Sequence, residues 1–113
     1  MHEVGIISAM LKTLERVMAE ENLEHVDKIV LEVGELSGVV PHYMEECFPA
    51  ATYKTPFEDL KMEMEVVPGK IECMDCGQVF PVKGQEFQCP CCKSYKLRPV
   101  EGTGLLIKEI HGS

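Results

Sequence analysis

The stretch Cys73-Met74-Asp75-Cys76, followed after twelve residues by Cys89-Pro90-Cys91-Cys92, decides most about this chain. Two residues between the cysteines of a pair allow one tight turn to direct both sulfurs at one ion. Two such turns, brought together by a hairpin, supply four thiolates in a tetrahedron, the geometry that Zn²⁺ takes in closed structural sites. The sequence therefore predicts a zinc site with four ligands: Cys73, Cys76, Cys89 and Cys92.

The residues around the two pairs leave some alternatives open. Gly77 follows the first pair, where a positive φ helps the backbone to curl around the metal, whereas Lys93 holds the equivalent place after the second. Cys91 either competes with Cys92 for the metal or is a spectator, although the two-residue spacing and Pro90 favour Cys92. The same four thiolates can also hold iron, as in a rubredoxin-like electron-transfer site.

Composition narrows the class of protein. The 113 residues make one small domain, or one and a half, and carry a formal charge of −8. This negative charge argues against a protein that binds the phosphate backbone of nucleic acids. No apolar run reaches the roughly 18–20 residues that a transmembrane helix needs. Cysteines at metal spacing without an export signal predict a cytoplasmic protein rather than a disulfide-linked secreted one.

Hydrophobic periodicity predicts the elements of the first half. Residues 3–21 carry apolar side chains at helical spacing, and Asn22 is a plausible stop. Residues 28–33 are rich in β-branched side chains and predict a strand. Pro41 is well placed to open a second helix, in which Pro49 should produce a kink or an early end.

The second half predicts a fold class. Residues 61–67 alternate as a half-buried strand, with Met62, Met64 and Val66 on one face, and residues 105–110 form a last strand that returns to the same sheet. We expect an α+β fold: two helices packed on a small mixed or antiparallel sheet, with an inserted zinc-ribbon subdomain. The expected domains are residues 1–69 plus 101–113, and residues 70–100.

The amino terminus offers a second metal-binding arrangement. The α-amine of Met1, the peptide nitrogen of His2 and the His2 imidazole can close adjacent chelate rings on one ion, and Glu3 can add a further ligand. Deprotonated amide and amine nitrogens give a square-planar field that suits Ni²⁺ or Cu²⁺ rather than tetrahedral Zn²⁺. From the residues alone, a solvated terminus is the commoner fate of a histidine in this position. His25 and His111 have the positions of surface residues, whereas His42, at the start of the second helix, either caps that helix or lies in solvent.

These features together resemble the HypA/HybF family of hydrogenase maturation nickel chaperones. The matching segments are Met1-His2-Glu3, Val33-Gly34-Glu35-Leu36-Ser37, the two cysteine pairs, and Gly104-Leu105-Leu106-Ile107 with Ile110. Some family members place an acidic residue in the loop after the Gly-Glu turn, where it reaches the nickel. Here residues 36–44 contain no Asp or Glu, so the part played by His42 or Glu45 is open.

The resemblance implies a function. It assigns nickel to Met1, His2 and Glu3, and structural zinc to the four cysteines. It implies delivery of nickel to [NiFe]-hydrogenase, and in some organisms to urease, with a GTPase partner and the hydrogenase large subunit; a homodimer is left open. No catalytic motif is apparent, so we expect no enzyme. The alternative is a zinc-ribbon adaptor that binds nucleic acid or a protein complex.

Overall fold

The computed structural model describes residues 3–82 and 87–113. The chain runs through two helices and six strands in those ranges. In chain order they are α1 (Glu3–Glu20), β1 (Val26–Gly34), α2 (Pro41–Thr52), β2 (Lys61–Val67), β3 (Lys70–Cys73), β4 (Val79–Pro81), β5 (Leu97–Glu101) and β6 (Leu105–Gly112).

β1 is the central strand of the first sheet, whose order is β2-β1-β6. It pairs in parallel with β2 and antiparallel with β6, so the sheet is mixed. Leu31, for example, lies between Met64 of β2 and Ile107 of β6. The prediction that the last strand returns to this sheet after the cysteine segment is confirmed, as is the α+β class.

The main core lies between this sheet and the two helices. From β1 it takes Ile29, Leu31 and Val33, which alternate along the strand and are almost fully buried. From the helices it takes side chains at helical spacing: Ile7, Met10, Leu11, Leu14, Met44 and Phe48. The sheet is therefore covered on one face, which is what the alternating pattern of its strands requires.

Several details differ from the sequence expectations, and β1 and β6 are each longer than the predicted residues 28–33 and 105–110. α1 ends at Glu20 rather than Glu21, because Asn22 adopts a φ of 53°, outside the helical region. Val66 does not share the partial burial of Met62 and Met64; it is 59% exposed. Pro49 lies inside α2, which continues to Thr52.

The cysteine segment forms a second sheet, of order β4-β3-β5, that the sequence analysis did not predict. Its buried cluster is small: Ile71, Cys73, Phe80 and Cys89. We propose on this basis the division into residues 1–69 plus 101–113 and residues 70–100. The molecule measures 54 × 26 × 17 Å, and its radius of gyration of 17.6 Å exceeds the roughly 13 Å of a compact chain of this length.

Leu31→Ala tests the packing of the main core. Leu31 is fully buried in the central strand, so we expect a loss of about 2–5 kcal/mol in the free energy of unfolding, measured by denaturant titration. The control is Leu106→Ala, because Leu106 is a strand leucine that is 53% exposed and should cost under about 1 kcal/mol. Similar losses in both variants would contradict this description of the core.

Candidate metal centre

The first cysteine pair lies in a tight turn that joins β3 to β4. The N–H of Gly77 donates to the carbonyl of Cys73 (2.9 Å), and the N–H of Cys73 donates to the carbonyl of Gln78 (2.8 Å). Gly77 has a φ of 78°, the left-handed conformation predicted for it. The turn therefore folds the backbone back on itself around the Cys73 and Cys76 sulfurs.

The second pair repeats the same backbone pattern. The N–H of Lys93 donates to the carbonyl of Cys89 (3.0 Å), and the N–H of Cys89 donates to the carbonyl of Ser94 (2.9 Å). Lys93 has a φ of 66°, so a residue with a side chain occupies the left-handed position that glycine fills in the first turn. The two turns are equivalent in geometry, but the second one carries backbone strain.

The four sulfurs converge on one point. The Sγ atoms of Cys73, Cys76, Cys89 and Cys92 all lie within 4.8 Å of one another. The separation is 3.5 Å between Cys73 and Cys92 and 3.6 Å between Cys76 and Cys89. Zinc–sulfur bonds of about 2.3 Å in a tetrahedron place the sulfurs about 3.8 Å apart, so these residues fit a zinc ion with little movement.

The four cysteines form a cluster that could hold a metal ion. Within residues 3–82 and 87–113 it is the one group of three or more ligating side chains close enough to share an ion. Cys91 is exposed and lies outside the quartet. The geometry therefore supports Cys92 over Cys91 as the ligand of the second turn.

The surroundings of the sulfurs shift their protonation unequally. The backbone N–H of Cys92, 3.4 Å from the Cys89 sulfur, is the main cause that lowers the pKa of Cys89 to about 6. The backbone N–H of Gln78 lowers the pKa of Cys76, but desolvation and the Cys89 thiol outweigh it and raise that pKa to about 12. Binding of a metal must displace the proton of Cys76, so the affinity of the site falls as the pH falls.

Two side chains that the sequence analysis did not single out join the turns to each other. The hydroxyl of Ser94 donates to the carboxylate of Asp75 and accepts from the N–H of Lys96 (3.0 Å). The N–H of Met74 donates to the carbonyl of Lys96 (2.8 Å). In the sequence, only the positions of these residues could have indicated the contact: Asp75 lies inside the first cysteine pair, and Ser94 lies two residues after the second.

The amino terminus lies only partly within the described structure. Met1 and His2 are outside the described residues, so their predicted metal binding has no geometry here. Glu3 is the first residue of α1, is 6% exposed and has an interaction partner. His42 is exposed and its Nε2 lies 2.9 Å from the Glu46 carboxylate on the next turn of α2.

Basic residues of the cysteine-bearing sheet are largely neutralised by carboxylates. The guanidinium of Arg98 lies 2.6 Å from the Glu72 carboxylate, and the ammonium of Lys70 lies 3.6 Å from that of Glu101. Binding to a nucleic acid backbone depends on positive charges that can pair with phosphates. Arg98 and Lys70 already pair with carboxylates, so they are less available for that role.

The sequence of this chain is similar to that of a family of known proteins. The family model described as "Hydrogenase/urease nickel incorporation, metallochaperone, hypA" matches residues 1–112. The chain belongs to the HypA family. The curated relatives include "Hydrogenase maturation factor HypA" of Geobacter metallireducens, 40% identical over 110 residues, and that of Geobacter sulfurreducens, 41% identical over 110 residues. Each alignment covers 97% of both chains.

The same family appears among solved structures. The solution structure of the Ni metallochaperone HypA from Helicobacter pylori superposes with a TM-score of 0.72, covering 99% of this chain and 97% of that one, at 18% identity. This likeness shows that the HypA fold is shared. The resemblance inferred from the sequence is thus confirmed. In the part of the chain that the structure describes, no helix is long and apolar enough to cross a membrane.

Serine substitutions separate the two candidate ligands of the second turn in this HypA-family chain. We expect Cys92→Ser to lose most of its zinc during dialysis against a chelator, because Cys92 is a member of the quartet. Cys91→Ser should keep one zinc per chain. Metal content measured by atomic emission decides the matter: loss of zinc in Cys91→Ser with retention in Cys92→Ser would reverse the assignment.

Exchange of the residues at the two left-handed positions tests the strain in the second turn. Lys93→Gly should relieve up to about 1 kcal/mol, or about a fivefold gain in zinc retention against a competing chelator. Gly77→Lys should weaken zinc retention, because it places a residue with a side chain in the left-handed conformation. A Cβ at this position meets no atom within 4 Å, so the backbone strain is the only cost that we expect. Equal retention by the wild type and both variants would contradict this interpretation.

Proposed function

We propose that this chain is a nickel metallochaperone that carries Ni²⁺ at its amino terminus and keeps a separate structural zinc at its four cysteines. Nickel is the cargo, held by the amine of Met1, the imidazole and amide nitrogen of His2, and Glu3. Membership of a family described by nickel incorporation for hydrogenase and urease is the observation on which this proposal rests.

The chemistry of the cysteine site supports a division between two metals. Four thiolates complete a tetrahedral shell, so a zinc bound there has no open position through which an ion could be passed on. When bound, zinc cross-links the two turns and completes a unit that otherwise buries few side chains. The cargo then needs a different place, and no other ligating cluster occurs among the described residues.

The terminus suits a cargo ion for two reasons. Its ligands belong to one short segment at the chain end, so they can leave the ion one at a time during transfer. Glu3 lies at the start of α1 and is buried, which ties this segment to the folded core. Nickel binding there should weaken on acidification, because the amine and imidazole have reference pKa values of about 7.7–8 and 6.5 and protons compete for both.

Delivery follows from the family's described role. We propose that nickel passes to the large subunit of [NiFe]-hydrogenase, with a GTPase as maturation partner, and that urease is a second recipient in organisms that have it. The chain acts in the cytoplasm in this proposal, and it transfers an ion without catalysing a reaction. The mass of the protein in solution distinguishes a homodimer from a monomer.

Nickel titration of zinc-loaded protein without a tag tests the site. We compare the wild type, a form with one Gly before Met1, and His2→Ala by calorimetry at neutral pH. The added Gly moves the amine away and leaves every side chain in place. Loss of a residue that only hydrogen-bonds to a metal ligand already costs about 10- to 100-fold in metal affinity, so loss of the amine or imidazole itself should cost at least that much.

Two further variants serve as controls for that titration. His111→Ala removes an exposed histidine paired with Glu109, and it should bind nickel as the wild type does. His42→Ala shows whether the histidine near the start of α2 adds a ligand. Equal affinity of the wild type, the extended form and His2→Ala would end the proposal that the amine and His2 hold the cargo.

A further inference from the structure

The two sheets meet at a junction formed by three backbone segments: residues 34–36 at the end of β1, residues 67–70 between β2 and β3, and residues 101–104 between β5 and β6. Backbone hydrogen bonds link each segment to another. They run from the N–H of Gly34 to the carbonyl of Gly104 (2.8 Å), from Glu35 to Val67 (2.9 Å) and from Leu36 to Gly102 (2.7 Å). The end of β1 and the two residues after it thus contact both segments that connect the cysteine-bearing sheet to the first sheet.

Glycines bring these segments into direct backbone contact. A Cβ on Gly34 would lie 2.2 Å from the carbonyl oxygen of Gly102, and one on Gly102 would lie 2.7 Å from the carbonyl oxygen of Pro68. Real Cβ atoms do not approach other atoms so closely, and Gly102 also has a φ of 73°. The two connections therefore pass each other in direct backbone contact.

The side chain of Glu35 adds a polar contact across the junction. Its Oε1 accepts a hydrogen bond from the N–H of Gly69 (2.8 Å), 34 residues further along the chain. Gly69 in turn accepts at its carbonyl from the N–H of Val82 (3.0 Å), beyond β4. The carboxylate of the residue that follows β1 therefore holds the residue that precedes β3.

The neighbouring side chain, Leu36, adds an apolar contact in the same direction. Leu36 packs against the small cluster of the cysteine-bearing sheet and lines a cavity together with Ile71 and Leu97. Its Cγ lies 2.6 Å from the place that a Cβ on Gly69 would occupy. A residue that follows the central strand of one sheet is thus part of the core of the other.

We infer that Gly34-Glu35-Leu36 is a rigid coupling that holds the cysteine-bearing sheet in one orientation relative to the helix-covered sheet. Gly34 permits the close backbone contact, and Glu35 accepts the hydrogen bond from Gly69. Leu36 packs against the buried cluster of the cysteine-bearing sheet. A protein that touches both sheets meets a preformed surface and does not have to order two loose units, which removes an entropic cost from its binding. This inference does not depend on the proposed nickel site.

Residual dipolar couplings of the zinc-loaded, full-length protein test the coupling. We expect the amides of both sheets to fit one alignment tensor in the wild type. Glu35→Gln keeps an oxygen that accepts from Gly69 and should retain the common tensor, whereas Glu35→Ala should lose it. Leu36→Ala should lose it as well, because the anchor in the second core is removed.

Glu58→Ala is the matched control. The Glu58 carboxylate also accepts a hydrogen bond from a backbone N–H, that of Lys54 (2.7 Å), but it lies in the turn after α2 and not at the junction. Glu58→Ala should therefore keep the common tensor. Separate tensors for the two sheets in the wild type would overturn the inference whatever the variants do, and a common tensor in both Glu35→Ala and Leu36→Ala would overturn the roles given to these side chains.

Discussion

The pairing of β1 with β6 is the constraint on which the rest of this structure depends. β6 enters the sheet only after the whole cysteine-bearing segment has been traversed, so its pairing brings the returning end of that segment to the end of β1, where the pairing of β2 already places the leaving end. Closing this loop costs entropy, and the antiparallel ladder with its buried Leu31 and Ile29 offsets that cost. The position of the second sheet follows directly, because its two connections leave and return beside Gly34.

The two proposed metal sites have opposite physical requirements. A structural ion has to stay, and four thiolates arranged by two equivalent turns around a small core favour retention. A cargo ion has to leave, and ligands on one short terminal segment favour stepwise release. Placing the two functions at separate parts of the chain avoids a compromise between them, so in this proposal the cysteines support the fold and the terminus carries the cargo.

The sequence was sufficient for features with a strong local pattern. Alternation predicted β2 with its bounds, helical spacing predicted α1, Pro41 indicated the start of α2, and cysteine spacing predicted the quartet. It was insufficient where a residue's role depends on a distant partner. The short strands β3, β4 and β5 have little periodicity of their own, the bond from Ser94 to Asp75 joins two separate turns, and Glu35 meets Gly69 only once the sheet is formed. The exposure of Val66 was not predicted either, because the alternating pattern gives Val66 the same face as the half-buried Met62 and Met64.

The central claim is that cargo and structural metal occupy different ligand sets, and X-ray absorption at both metal edges of one sample tests it most directly. The sample is the untagged protein loaded with one zinc and one equivalent of nickel. The account predicts a zinc spectrum of four sulfurs at about 2.3 Å, unchanged by nickel, and a nickel spectrum with nitrogen and oxygen ligands alone. Sulfur scattering at the nickel edge, or loss of zinc–sulfur scattering when nickel is added, would contradict it.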